Sequence, residues 1–162
     1  MLNPNRLFTV SATWVALTVS GCASTPSPTS IADTAARTPQ LSTLNRLITQ
    51  AGLDDTLRGP GPFTVFAPSD EAFKAVPANT LADLAADKEL LRSVLTYHVL
   101  PGAISAAMVK NGNVKSVNGA NLALSKAGTI VTVEDAVVLT ADVAATNGVV
   151  HVIDRVLMPP KR

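Results

Sequence analysis

The chain has one cysteine, Cys22, so no disulfide forms within it. Two histidines, His98 and His151, have no second thiol with which to build a zinc centre or a Cys–His nucleophile pair. HExxH, P-loop, GxSxG and GxGxxG patterns are all absent. Aromatic residues make up only 4% of the chain, and none is interleaved with arginine. Lys and Arg number 13 against 12 Asp and Glu, without a basic run or stripe. Nucleic-acid binding requires phosphate neutralisation, and this charge pattern excludes it. Neither a metal nor a cofactor is implied. The largely apolar stretch at 7–19 is too short to span a bilayer as a stable helix.

That stretch has another meaning. Residues 1–6 form a polar segment with one basic side chain, Arg6, and the apolar run ends in Val19-Ser20-Gly21-Cys22. This is the layout of a signal peptide over 1–21. The tetrapeptide resembles a bacterial lipobox, in which the cysteine thiol takes a diacylglycerol and the new N-terminus is acylated, typically with palmitate. Cys22 is therefore the expected lipid-attachment residue and the start of an exported mature chain. Several acyl chains give stable anchoring where one does not. Residue 23 is Ala, not Asp, which by analogy with Gram-negative sorting favours the outer membrane. Loss of Arg6 with the leader brings the net charge to zero. The Ser/Thr/Pro/Ala-rich stretch that follows, over 22–38, reads as a tether. Its extended length would hold the domain up to roughly 50 Å from the lipid.

The folded part is expected from residue 39 to 160. Leu41, Leu44, Leu47, Ile48 and Ala51 recur at helical spacing before Gly52, and Leu53 and Leu57 indicate a second short turn. Gly59-Pro60-Gly61-Pro62 ends it. Phe63 to Ala67 reads as a buried strand, Ser69 as the cap of a helix through Phe73, and Thr80 as the start of another helical piece. Asp87 caps a longer helix with a stripe of Leu90, Leu91, Val94 and Leu95. Later runs at 114–117, 122–125, 129–133, 137–139, 149–153 and 156–158 are strand-like, with turns at Asn118-Gly119 and Asn147-Gly148. Helices first and strands later define an α+β domain.

Three segments resemble the signature boxes of fasciclin domains: Phe63–Phe73, Leu95–Gly102 and Asn147–Pro159. Their order and spacing also match, so the chain is identified as resembling a bacterial fasciclin-domain lipoprotein. The resemblance implies a wedge-shaped, antiparallel-rich sheet of about seven strands with a layer of short helices. It also implies a non-enzymatic role in adhesion to cells, matrix or surface polymers. Family members that bind integrins carry an Asp–aliphatic pair ahead of the last box, where this chain has Asp142-Val143. Thr140-Ala141 and Ala144 depart from that motif, so integrin recognition does not carry over. The Asp142 carboxylate also suits backbone N–H groups in the following turn. Where the family often has Asn-Gly, this chain has Glu134-Asp135, and a looser or longer hairpin is expected.

Tyr97-His98 presents two readings. Either the pair contacts a partner or titrates, or the ring packs and satisfies backbone groups at the junction. Ser69-Asp70-Glu71 reads as a helix start, and His151 and Asp154 fall on opposite strand faces. The preferred function is a lipid-anchored cell-envelope adhesion module that binds a protein or polymer. The alternative is a carrier of a small hydrophobic ligand between helices and sheet, which needs an apolar cavity of about 300 Å³ or more. Hydrolysis would require His98 beside a carboxylate and a hydroxyl.

Overall fold

The computed structural model describes residues 29–160, so the expected signal peptide and Cys22 lie outside the described residues. The order of elements is α1 (Ile31–Arg37), α2 (Ser42–Ala51), α3 (Asp54–Arg58), β1 (Phe63–Pro68), α4 (Asp70–Lys74), α5 (Ala78–Ala86), α6 (Lys88–Tyr97), β2 (Val99–Pro101), β3 (Gly112–Lys115), β4 (Asn121–Ala127), β5 (Ile130–Val133), β6 (Ala136–Ala145) and β7 (Gly148–Ile153).

The seven strands form one sheet in the order β2-β1-β7-β6-β5-β4-β3. Only β1 and β7 run parallel, paired from Phe63 opposite Gly148 to Pro68 opposite Ile153. The sheet curls until its two edges almost meet, where the Val117 N–H donates to the Val99 carbonyl at 2.8 Å.

Alternation along the two central strands divides the interior. Val65 and Ala67 of β1, with Val150 and Val152 of β7, face the helices and pack with Leu44, Ile48, Leu91 and Val94. Phe66 and Ile153 point the other way, into the curl, against Tyr97, Leu100, Leu122, Leu124, Val131 and Val133. Both faces of β1 and β7 are buried, which explains their nearly continuous apolar composition. No side chain fits at Gly148, because a Cβ there would overlap the Phe63 carbonyl.

Local signals operate as the sequence implies at several points. Gly52 ends α2 in the left-handed conformation (φ 66°). The Ser69 hydroxyl accepts from the Ala72 N–H, and the Asp87 carboxylate accepts from the Glu89 and Leu90 N–H groups. Leu90, expected in the α6 stripe, is exposed at 40%, and Tyr97 completes the buried face instead. Helix α5 starts at Ala78, two residues before Thr80, directly after Pro77.

Four expectations need correction. Residues 31–37, assigned to the tether, form α1. Ser30 caps it by accepting from the Asp33 N–H, and Ile31, Ala32 and Ala35 are buried in the helical core. Small alanines leave little hydrophobic signal yet allow close packing, so the folded part begins well before residue 39. Residues 156–158 are not a strand: the Leu157 N–H is donated to the His98 ring at 3.0 Å instead of to a neighbouring strand. Residues 99–101, outside the expected strand runs, form β2, antiparallel to β1. The hairpin at Glu134-Asp135 is tight, with Val133 opposite Ala136. Glu134 adopts φ 52°, a conformation normally left to Gly or Asn. Its own side chain supports it, since Oε1 accepts from the Ala123 N–H at 2.8 Å while its N–H donates to the Ala123 carbonyl.

Candidate functional site

Asn147 opens the last box. Its side-chain amide donates to the carbonyls of Leu57 (2.6 Å) and Gly59 (3.0 Å), and its Oδ1 accepts from the Ile31 N–H (2.9 Å). One turn residue thereby ties α1 and the end of α3 to the start of β7. The Phe63 N–H adds a bond to its backbone carbonyl.

Tyr97 and His98, at the end of α6, are both inside, with 3% and 2% exposure. His98 Nδ1 donates to the Val94 carbonyl (2.8 Å), which leaves Nε2 to accept from the Leu157 N–H (3.0 Å). The ring is thus held neutral, and burial pushes its pKa down to about 4, with the Val94 carbonyl pulling weakly the other way. The Tyr97 hydroxyl donates to the Asn121 carbonyl (3.1 Å), and Glu134 Oε1 lies 3.4 Å away. Burial raises the phenol pKa, and the Glu134 charge adds to it. All polar atoms of these two side chains are engaged within the chain, so neither ring offers a contact surface. Both partners of the His98 ring are backbone groups, not the carboxylate and hydroxyl that hydrolysis would need.

Asp142 differs. It is exposed, at a break in the β6–β7 register, with φ 57°. Its Oδ1 accepts from the Ala106 N–H at 2.8 Å, a residue far away in sequence and not in the turn that follows. Its own N–H donates to His151 Nδ1 (3.1 Å), so Nε2 carries the proton and donates to the Ile104 carbonyl (2.8 Å). The His151 ring stacks on Phe66 with centroids 5.5 Å apart. Thr64 Oγ1 donates to the Gly102 carbonyl and accepts from the Ile104 N–H. Three side chains from three strands therefore latch the loop at 102–109. Val143, half-buried, packs against the helical core. Asp142-Val143 and Tyr97-His98 share no hydrogen bond and do not form one site.

His151 is the residue that sequence reasoning passed over. Its pairing with Asp154 was rightly excluded: Asp154 instead accepts from the Val137 N–H at 2.7 Å. The usable signal was a lone imidazole in an apolar strand, which must find two polar partners. Asp70 likewise supports structure, accepting from the Thr43 N–H and the Ser42 hydroxyl at the start of α2.

Asp142→Ala loses the Ala106 bond and leaves at positive φ a residue that tolerates that conformation less well than Asp. The expected cost is about 1–2 kcal/mol, with faster amide exchange at Ala106. Asp142→Gly should cost less than Asp142→Ala in chemical denaturation; the reverse order would show that backbone conformation is irrelevant there.

The apolar cavity beside Leu44, Leu57, Val65 and Leu95 has a volume of about 30 Å³, room for a water or two and far below a ligand pocket. The groove between Phe73, Leu81 and Leu139 is larger but open to solvent. Among the described residues, no group of three or more His, Cys, Asp or Glu is placed to hold a metal, and no helix is long and apolar enough to cross a membrane.

A helix-capped, curled seven-stranded sheet whose buried histidines serve as internal staples defines an α+β scaffold. The fasciclin domain model matches residues 39–159, and the chain belongs to that family. Among its bacterial relatives is protein sll1483 of Synechocystis, 45% identical over 140 residues, covering 85% of this chain and 78% of that protein. Cell surface glycolipoprotein MPB83 of Mycobacterium bovis is 39% identical over 147 residues, 88% of this chain and 64% of that protein. A FAS1 domain pair from the insect cell adhesion molecule Fasciclin I superposes with a TM-score of 0.61 at 26% identity, covering 75% of this chain and 46% of that one.

Proposed function

We propose that this protein is an exported, lipid-anchored interaction module of the cell envelope, non-enzymatic, which binds a protein or surface polymer. The observation that carries this reading is the family match over the folded part, together with surface-named relatives. The match to the cell surface glycolipoprotein supports the anchor in particular. That protein is 39% identical to this chain over 88% of the chain's length, and its name is that of a lipid-bearing surface protein. The interior supports adhesion over carriage, because its apolar cavity cannot enclose a hydrophobic ligand. Of Tyr97, His98, Asp142 and Val143, only Asp142 is exposed, and its second carboxylate oxygen is available to a partner.

The anchor is tested on chain extracted from the membrane fraction of producing cells. Its N-terminal peptide should begin at Cys22 and carry the added mass of a diacylglyceryl group and an acyl chain. An unmodified cysteine, or a mature N-terminus elsewhere, overturns the lipid reading.

A further inference from the structure

Charge is not evenly placed along this chain. Between Glu89 and Glu134 there is no Asp or Glu, and that interval holds Lys110, Lys115 and Lys126. The structure places Lys110 and Lys126 together beside the β4–β5 hairpin, with Lys115 toward the far end of β3. Lys126 Nζ donates to the Ala107 carbonyl (3.0 Å), and its backbone N–H to the Asn111 side chain (2.7 Å), so Met108 and Lys110 lie beside it. Ala127 pairs with Ile130 across the adjoining hairpin. Lys115 lies further along β3, the strand at that edge of the sheet. Met108 and Ile130 are 66% and 56% exposed. Two acids bound this lobe, Asp142 and Glu134, each with one carboxylate oxygen held by a backbone N–H, from Ala106 and Ala123.

A second observation concerns reach. Because α1 belongs to the core, the line from Cys22 to the first described residue, Thr29, is only seven residues. Seven residues extend at most about 25 Å, whereas a domain of this size is roughly 35 Å across. Anchored at Cys22, the domain cannot leave the lipid surface by more than its own width, and its effective concentration there is high. Weak contacts suffice under those conditions.

We propose that the lobe bearing Met108, Lys110, Lys115, Lys126 and Ile130 docks on anionic phospholipid of the membrane that holds Cys22. The lysines meet phosphate headgroups, and Met108 and Ile130 enter the boundary between headgroups and acyl chains. This orients the domain. The location of the docking membrane rests on the anchor reading, but the affinity of the lobe for lipid can be measured without it.

The test uses residues 23–162, which contain every described element and lack the lipidated cysteine, so the anchor contributes nothing to the result. Sedimentation with phosphatidylglycerol-containing vesicles should exceed that with pure phosphatidylcholine and should fall with added salt. Lys110→Gln together with Lys115→Gln should weaken binding by about 25-fold, roughly fivefold for each lysine. Met108→Ser with Ile130→Ser should weaken it further, and Lys74→Gln with Lys88→Gln, on the helices, should leave it unchanged. Unaltered thermal midpoints confirm that the exposed substitutions spare the fold. Equal binding to both vesicle types, or an equal loss from the helical pair, overturns the proposal. In the latter case Lys110 and Lys115 only guard the sheet edge against pairing.

Discussion

Phe66→Ala is expected to lower the unfolding free energy by about 3–5 kcal/mol, the largest effect of any single truncation in the strands. Phe66 is 1% exposed and sits in the curl of the sheet, among Leu100, Leu122, Val133 and Ile153. The surrounding strands are fixed by their hydrogen bonds and cannot collapse into the space left behind. A second consequence follows from the stack with His151: removal of the phenyl face frees that ring, and with it the bonds to Asp142 and Ile104. Denaturant unfolding should show a lower midpoint with an unchanged slope, and amide exchange should quicken in the loop at 102–109. An unchanged midpoint would mean that Phe66 is not a core residue.

The next largest effect is a loss of stability in mild acid. His98 is neutral in the fold with a pKa of about 4, against about 6.5 unfolded. Between those values the unfolded chain binds the extra proton, so stability rises with pH across the window. The full contribution is present above pH 6.5 and is lost as pH falls toward 4. It amounts to about 3 kcal/mol in total, with a slope of up to about 1.4 kcal/mol per pH unit. Charging the ring also costs a hydrogen bond, because protonated Nε2 can no longer accept from Leu157. His98→Gln, which does not titrate, should flatten the dependence. Wild-type stability that stays level from pH 6.5 to 4.5 would contradict the buried neutral assignment.

Much of this architecture is legible from apolar spacing. Helices α2 and α6 and strands β1 and β7 bury repeated large side chains, and burial at a fixed period leaves its mark on composition. Features held by single polar atoms do not. Asn147 reads as a turn residue, yet its amide joins segments 90 and 116 positions away, and its partners are backbone atoms common to every residue. Glu134 accepts an unfavourable backbone conformation because Ala123, on a neighbouring strand, offers both a donor and an acceptor. Strand β6 continues past Leu139 through Thr140-Ala141-Asp142, a run with weak strand character, because the register breaks there and lets Asp142 turn. Helix α1 was hidden by its alanines.

The same distinction applies to the candidate contacts. Tyr97-His98 stands out in sequence because it is polar and aromatic at a junction, but the fold spends both side chains on internal bonds. Asp142 stands out because the resemblance points to it, and the structure gives it a latch to Ala106 while the residue stays exposed. A binding experiment on Asp142 must therefore separate loss of contact from loosening of the loop, which Asp142→Asn does: it removes the charge but keeps an Oδ1 that can accept from the Ala106 N–H.

The central claim, a surface-displayed interaction module, is tested most directly by adherence. Adherence of producing cells is measured alongside that of cells lacking the protein, with and without excess soluble residues 23–162. Deletion should lower adherence to cells or surfaces, and the soluble domain should bring the wild type down to the same level. Identical adherence in all cases would contradict the claim.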